Sequence, residues 1–150
     1  MEKDVQYSIG EAADLLGVSV PTLRLYERAG LILPIRRVSK HRVYAASDLE
    51  RVRCLREAIN HKKISIAGIR SLLAMIPCWK IKNCPDEIRN NCPAFKGTDA
   101  PCWAVENKPW ECARAECRVC SVYIESSDCH KVKELVARHT TNESCGNILP

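Results

Sequence analysis

The feature that most constrains this chain is a cysteine-rich segment between Pro77 and Cys129, which contains eight of the ten cysteines in the 150-residue sequence. The segment has few aliphatic residues, so it offers little apolar surface from which to build a core. A small domain of this composition needs a cross-link or a bound metal to stay folded. Thiols at this density either pair as disulfides or hold a metal centre.

The composition changes sharply near Pro77, and this change predicts two small domains, 1–77 and 78–150. Residues 1–77 hold 13 Lys and Arg against 8 Asp and Glu, a net charge of +5, whereas the remainder holds 10 of each sign. Excess positive charge confined to one half favours a polyanionic partner such as DNA. A solvated basic surface with no such partner would give the same count.

The amino terminus is charged and is followed by no apolar run long enough for a signal peptide or a membrane span. We therefore expect a cytoplasmic protein with no membrane partner. Cytosolic thiols are kept reduced, so the cysteines indicate metal binding or redox activity rather than a secreted disulfide framework.

The first half contains the pattern of two short helices joined by a tight turn. Ser8 and Glu11 have the spacing of a capping box and predict the start of a helix. Gly17 marks the turn, Ser19 can cap a second helix, and Gly30 ends that helix. Two short helices with such a turn predict a helix-turn-helix.

A small β-hairpin and two further helices follow. Residues 32–44 place β-branched side chains around a polar tip and predict a hairpin, or wing, with four basic side chains, Arg36, Arg37, Lys40 and Arg42. Ser47 and Glu50 repeat the capping-box spacing and predict a third helix, and Ser65 starts a fourth that Pro77 stops. The predicted fold is mainly α: a winged helix-turn-helix of four helices plus a small β-hairpin wing, followed by a small cysteine-rich, metal- or cluster-stabilised domain.

The order and spacing of these motifs resemble the DNA-binding domain of the MerR family of transcription regulators. The resemblance rests on Y-S-I-G-E-A-A-D-L-L-G-V-S-V-P-T-L-R-L-Y-E-R-A-G-L-I, then H-R-V-Y, S-D-L-E-R-V-R and I-R-S-L-L, and it covers residues 7 to about 76. It implies a DNA-binding regulator rather than an enzyme, with the second helix in the major groove and the wing on phosphates. On matching positions it implies DNA contacts for Thr22, Arg24, Tyr26, Arg42 and Tyr44.

Basic side chains of the wing extend this set, because phosphate contacts supply much of the affinity for DNA and need Lys and Arg. The predicted DNA-binding residues are Ser19, Thr22, Arg24, Tyr26, Arg36, Lys40, Arg42 and Tyr44. Leu25 departs from the family, which usually has an aromatic residue there.

The resemblance also implies partners. Double-stranded promoter DNA is the main one, and homodimerisation and contact with RNA polymerase are further candidates. The family dimerises through a long antiparallel helix after its fourth helix, but here Pro77 and the cysteine-rich segment occupy that place. The only later helical pattern, over 127–139, has marginal length for a coiled coil.

The cysteine-rich segment contains an internal duplication that resembles two-CW domains. The first copy is C-W-x4-C-P-x6-C-P and the second is C-W-x8-C-x4-C-x2-C. The predicted metal ligands are Cys78, Cys84, Cys92, Cys102, Cys112, Cys117, Cys120 and Cys129. Thiolates bind soft or borderline metals, so zinc and iron–sulfur clusters are the candidates, and the Cys-Pro pairs favour iron and sulfur. Exchangeable thiols or disulfides and another ligand remain open alternatives.

Three residues outside this set have plainer interpretations. Cys54, midway along the third helix, is predicted to be a buried small hydrophobe. Cys145 is predicted to be a free thiol in a polar tail, and His130 a surface histidine at a helix start. Two functional hypotheses follow: a DNA-binding regulator whose metal or iron–sulfur centre senses redox state, oxygen or metal, or one whose zinc module is purely structural and supplies dimer or partner contacts.

Overall fold

The computed structural model describes residues 5–97, 99–109, 112 and 116–140, with the backbone alone at 130, 133, 136 and 140; Cys145 and the side chain of His130 therefore lie outside the description. The described part is mainly helical with one small sheet. Its first half contains β1 (Gln6–Ser8), α1 (Ile9–Leu16), α2 (Val20–Arg28), β2 (Ile35–Arg36), β3 (Arg42–Ala45), α3 (Ala46–Asn60) and α4 (Ile66–Ala74). Its second half contains α5 (Cys78–Ile81), α6 (Asp86–Arg89), α7 (Pro93–Lys96), two 3₁₀ turns (Cys102–Ala104 and Cys117–Val119), α8 (Ser121–Glu125) and α9 (Cys129–Thr140).

Local capping sets the ends of α1 and α2. The Glu11 amide donates to Ser8 Oγ at 3.2 Å and the Ser8 amide donates to the Glu11 carboxylate at 2.7 Å, which completes the predicted capping box. Gly17 closes α1 in the left-handed conformation with a φ of 63°. The Thr22 amide donates to Ser19 Oγ at 3.2 Å and caps α2.

A three-stranded antiparallel sheet of order β1-β3-β2 packs beside these helices. Strands β2 and β3 pair Arg36 with Arg42 and form a hairpin whose tip contains Lys40, at a φ of 63°. Strand β1 pairs Tyr7 with Tyr44 and lies outside the predicted hairpin. Three residues are too few for their alternation to predict a strand.

Helix α3 begins differently from the prediction. The predicted capping box of Ser47 and Glu50 is absent, since Ser47 lies inside the first turn and Glu50 pairs with Arg53. Instead the Ala45 amide donates to the Asp48 carboxylate at 2.8 Å, and Asp48 is only 2% exposed. The helix therefore starts on a buried acid.

The main hydrophobic core contains side chains from both sides of Pro77. Helices α1 to α4 and the following loops contribute many of them, including Leu23, Leu31 and Val52. The cysteine-rich half adds Trp103, Val122, Tyr123 and Leu135 to the same cluster. The second half is therefore packed directly on the first.

Helix α9 covers most of the pattern predicted over 127–139 and packs against α3. Leu135 is 2% exposed and Val132 packs against the core, so these apolar residues are used within the chain. None of the helices in the described ranges is both long and apolar enough to cross a membrane.

Candidate nucleic-acid interface and thiol cavity

Basic side chains from α2 and the β2–β3 hairpin converge on one groove of about 580 Å³, called here the basic groove. Its lining includes five cationic side chains, Arg24, Arg36, Arg37, Lys40 and Arg42. Arg37 donates to Gln6 at 2.8 Å, and Arg42 pairs with Glu27 at 3.1 Å. Arg24, Arg36 and Lys40 are exposed. A groove with this charge suits a phosphate backbone.

Two of the predicted hydroxyl contacts lie at the start of α2, the helix that carries Arg24. Ser19 is exposed and Thr22 is half-buried, with their side-chain oxygens 2.8 Å apart. Ser19 already caps the helix through the Thr22 amide. The start of α2 therefore presents small polar groups on the same helix that contributes Arg24 to the basic groove.

The two tyrosines predicted to contact DNA lie in the core. Tyr26 is 5% exposed and Tyr44 is 1% exposed, and the Tyr44 hydroxyl donates to Glu27. Burial raises the pKa of Tyr44, and the hydrogen bond to Glu27 raises it further. Because Glu27 also pairs with Arg42, Tyr44 acts on the groove indirectly, by fixing the acid that holds Arg42. Both tyrosines are therefore core residues in this structure, and their contact with DNA stays a prediction.

Six of the eight cysteines predicted as ligands line one cavity of about 300 Å³, the thiol cavity. They are Cys78, Cys92, Cys102, Cys112, Cys117 and Cys120. Cys84 adjoins them through its interactions with Cys78, Cys92 and Cys112. Cys129 lies elsewhere, in a disulfide with Cys54 of α3. The fold therefore gathers seven of the predicted ligands and separates one.

The thiols of this cavity perturb one another. A hydrogen bond with Cys102 lowers the pKa of Cys78, and the same contact raises the pKa of Cys102. Burial raises the pKa of Cys84 and of Cys112, and neighbouring thiols raise both further. Deprotonating several of these thiols together would need a compensating cation, and a bound metal is one such cation.

The donor set fits a soft or borderline metal, since it consists of thiols. Two cationic side chains, Lys82 and Lys108, also line the cavity, and Lys108 Nζ donates to Cys117 Sγ at 3.3 Å. Within the described ranges, no group of three or more His, Cys, Asp or Glu side chains is arranged to hold a metal ion. The fit therefore rests on the chemistry of the donors and on a cavity of about 300 Å³, which has room for one ion or for a polynuclear cluster.

The turn that carries Cys117 and Cys120 also contacts the first half of the chain. Arg118, between them, donates to the two carboxylate oxygens of Asp48 at 3.0 and 2.9 Å, and to the Leu33 carbonyl. The sequence analysis did not predict this contact. Its one local signal is an arginine between the two cysteines of a C-x2-C pair, and that signal does not identify the partner. The turn of the thiol cavity is thereby joined to the start of α3.

Aromatic side chains reinforce the same contact between halves. Trp103 Nε1 donates to the Gly30 carbonyl at 2.7 Å, and the Leu33 amide donates to the Tyr123 hydroxyl at 2.9 Å. The Arg51 guanidinium lies 3.8 Å from the centre of the Tyr123 ring and 5.4 Å from that of Trp103. Burial lowers the pKa of Arg51. Trp103 is therefore a core residue, whereas Trp79 packs edge-on against Phe95 at 5.1 Å.

Residues 7–76 match the family model described as MerR HTH family regulatory protein. A Streptomyces coelicolor protein named as heat shock protein HspR is 36% identical over 69 residues, which are 46% of this chain and 46% of that protein. A Haemophilus influenzae protein named as a heavy metal-dependent transcriptional regulator is 44% identical over 69 residues, 45% of this chain and 53% of that protein. The HTH-type transcriptional regulator HmrR of Sinorhizobium medicae is 39% identical over 69 residues, 45% and 46% of the two chains.

The chain spans about half the length of these curated relatives. The family match ends at residue 76, before the first cysteine of the thiol cavity. Two of these three relatives are named as transcriptional regulators, and none of the three names is that of an enzyme.

Proposed function

We propose that this protein is a cytoplasmic, sequence-specific transcription regulator whose cysteine-rich segment binds a metal or iron–sulfur centre and senses redox state, oxygen or metal. The match of residues 7–76 to the family model described as MerR HTH family regulatory protein supports the DNA-binding part of this proposal. The DNA-binding domain is 1–77 and the sensor segment is 78–150. One observation carries the sensing part of this proposal: cysteines spread over 78–120 line a single cavity of about 300 Å³.

The basic groove is the proposed DNA-binding surface. Arg24, Arg36, Lys40 and Arg42 would contact phosphates or bases, with Ser19 and Thr22 at the start of α2. The four cationic side chains line the groove, and three of them are exposed. Phosphate contacts of this kind supply affinity, while contacts to base edges supply specificity.

The thiol cavity is the proposed sensor site. The residues that would hold the metal or cluster are Cys78, Cys84, Cys92, Cys102, Cys112, Cys117 and Cys120. A bound metal would supply the positive charge that keeps these groups as thiolates. The Haemophilus influenzae relative supports this proposal by its name, since it is called a heavy metal-dependent transcriptional regulator.

Coupling between the two sites would run through Arg118. Binding at Cys117 and Cys120 would fix the turn that holds Arg118, and Arg118 bonds to Asp48 at the start of α3. Asp48 also accepts from the Ala45 amide, and Ala45 is the last residue of β3 in the hairpin. A ligand changes DNA binding to the extent that it favours one arrangement of this connection over another.

A structural zinc module is the second candidate. It is favoured by the shared core, in which Trp103 and Tyr123 pack among residues of the first half. In this case the metal would hold the cysteine-rich segment folded against the DNA-binding domain and would carry no signal.

Titration of a fluorescent duplex, selected by the wild-type protein from a random pool, separates the two candidates. The sensor proposal predicts that oxidising, reducing or stripping the centre changes DNA affinity by about tenfold or more. Cys54→Ser serves as a control, because Cys54 lies outside the thiol cavity. An affinity that changes on metal removal only where circular dichroism shows that the chain has also lost structure supports the structural module. Absence of sequence-selective binding in every state would contradict both.

A further inference from the structure

Two cysteines outside the thiol cavity join the two halves of the chain covalently. Cys54, midway along α3, and Cys129, the first residue of α9, form a disulfide with their Cα atoms 5.8 Å apart. This separation is usual for disulfides. We propose that Cys54 and Cys129 are a reversible redox modification site, a latch that fastens the start of α9 to α3 and is separate from the metal centre.

The latch is open to small reagents. Cys54 and Cys129 line a surface cleft of about 470 Å³ together with Ser47, Glu50, Arg53, Glu57, Ser127 and Asp128. Both cysteines are half-buried rather than enclosed. A low-molecular-weight disulfide or thiol can therefore reach the sulfurs from this cleft, which a fully buried structural disulfide would prevent.

The chemistry is thiol–disulfide exchange. The thiolate of one cysteine attacks oxidised glutathione, forms a mixed disulfide and releases one reduced glutathione. The second cysteine thiolate then attacks the protein sulfur, forms the Cys54–Cys129 bond and releases a second reduced glutathione. The two protein thiols are oxidised by two electrons in total, the glutathione disulfide is reduced by two, and the two thiol protons pass to the two glutathione leaving groups.

The other cysteines in the described ranges belong to a different site. Cys78, Cys84, Cys92, Cys102, Cys112, Cys117 and Cys120 are free thiols, and six of them line the thiol cavity. None of them lines the cleft that exposes Cys54 and Cys129. The latch does not depend on whether the cavity holds a metal. The latch proposal can therefore be tested, and shown right or wrong, independently of the proposed function.

The latch acts on the position of α9. When it is closed, α9 is held at its first residue by the disulfide and near its middle by buried Leu135. When it is open, packing of Val132 and Leu135 remains, but the start of the helix is free of covalent restraint. Reduction is therefore expected to loosen the first turns of α9 without unfolding the chain.

Mass spectrometry of the full-length protein tests the site. The protein is equilibrated in glutathione buffers of increasing oxidised fraction, alkylated and digested with trypsin. The expected product is peptide 54–56 linked to peptide 119–131 through Cys54 and Cys129, with Cys120 of the second peptide alkylated. The linked peptide should appear on oxidation and disappear on reduction. Links from Cys129 to a cysteine of the thiol cavity, or full alkylation of both residues in the most oxidising buffer, would overturn the proposal.

Hydrogen exchange tests the effect of the disulfide on α9. The main comparison is between oxidised and reduced wild-type protein, so it does not depend on a variant that could fail to fold. Amides of the first turns of α9 should exchange several-fold faster in the reduced protein than in the oxidised one. Cys54→Ser and Cys129→Ser in oxidising buffer should both match the reduced wild type. Ser47→Ala, a change in the same cleft that removes no sulfur, should keep the oxidised pattern. Equal exchange in oxidised and reduced wild type would show that the disulfide does not act as a latch.

Discussion

Arg118 donates to both carboxylate oxygens of Asp48, at 3.0 and 2.9 Å, and this pair joins the thiol cavity to the start of α3. The two side chains are 17% and 3% exposed. Each has a second partner, because Asp48 accepts from the Ala45 amide and Arg118 donates to the Leu33 carbonyl. The position of the Cys117–Cys120 turn and the position of α3 therefore depend on one another.

Arg118→Ala should destabilise the protein strongly. Removing the guanidinium leaves the Asp48 carboxylate buried without its charged partner, which costs roughly 3 to 5 kcal/mol. Urea unfolding followed by circular dichroism measures the loss. The matched control is Arg53→Ala, since the pair of Arg53 with Glu50 is exposed and should contribute at most about 1 kcal/mol. Equal effects of the two substitutions would show that the Asp48 pair does not hold the halves together.

Gly30 is predicted to be required for the contact between the two halves. It has a φ of +73°, and a Cβ there would lie 2.6 Å from the Cβ of Ala104. Gly17 has a φ of +63° but meets nothing within 4 Å, so Gly17→Ala should cost only the backbone strain, roughly 1 to 2 kcal/mol. Gly30→Ala should cost clearly more in the same urea unfolding assay. Adding Ala104→Gly should recover the excess over Gly17→Ala, and failure to recover it would argue against this contact.

Arg24→Ala should weaken binding to the selected duplex by roughly 1 to 3 kcal/mol. Arg24 is exposed, lines the basic groove and lies on α2. Fluorescence anisotropy titration at fixed salt measures the change, because the phosphate part of the affinity varies with ionic strength. Arg53→Ala, outside the groove, is the control and should leave affinity unchanged. An unchanged affinity for Arg24→Ala would remove Arg24 from the interface.

Local signals predicted the first half of the fold well. The hydroxyls of Ser8, Ser19 and Ser65 cap their helices as the spacing indicated, because a cap involves residues three apart in sequence. The prediction for the start of α3 was wrong because that start depends on a contact between residues far apart in sequence. Its buried acid, Asp48, is paired with Arg118, 70 positions away, and no local pattern contains that partner.

In the candidate sites, too, the features set by local sequence were predicted and those set by distant contacts were not. The spacing of the cysteines predicted a shared site, and the fold gathers seven of them, but nothing in the spacing distinguishes Cys129, which pairs with Cys54. The sequence predicts that Cys54 is a buried small hydrophobe, but the residue is half-buried and cross-linked. Tyr26 and Tyr44 were assigned to DNA by resemblance, and their burial depends on packing that the resemblance did not contain.

Occupancy of the thiol cavity is tested most directly by the iron, acid-labile sulfide and zinc content of protein purified without oxygen. We expect stoichiometric zinc, or iron with sulfide, in the wild type and in Cys54→Ser, and its loss when Cys78 and Cys102 are both replaced by serine. Wild-type protein that contains none of the three, and whose folding a chelator leaves unchanged, would contradict the account.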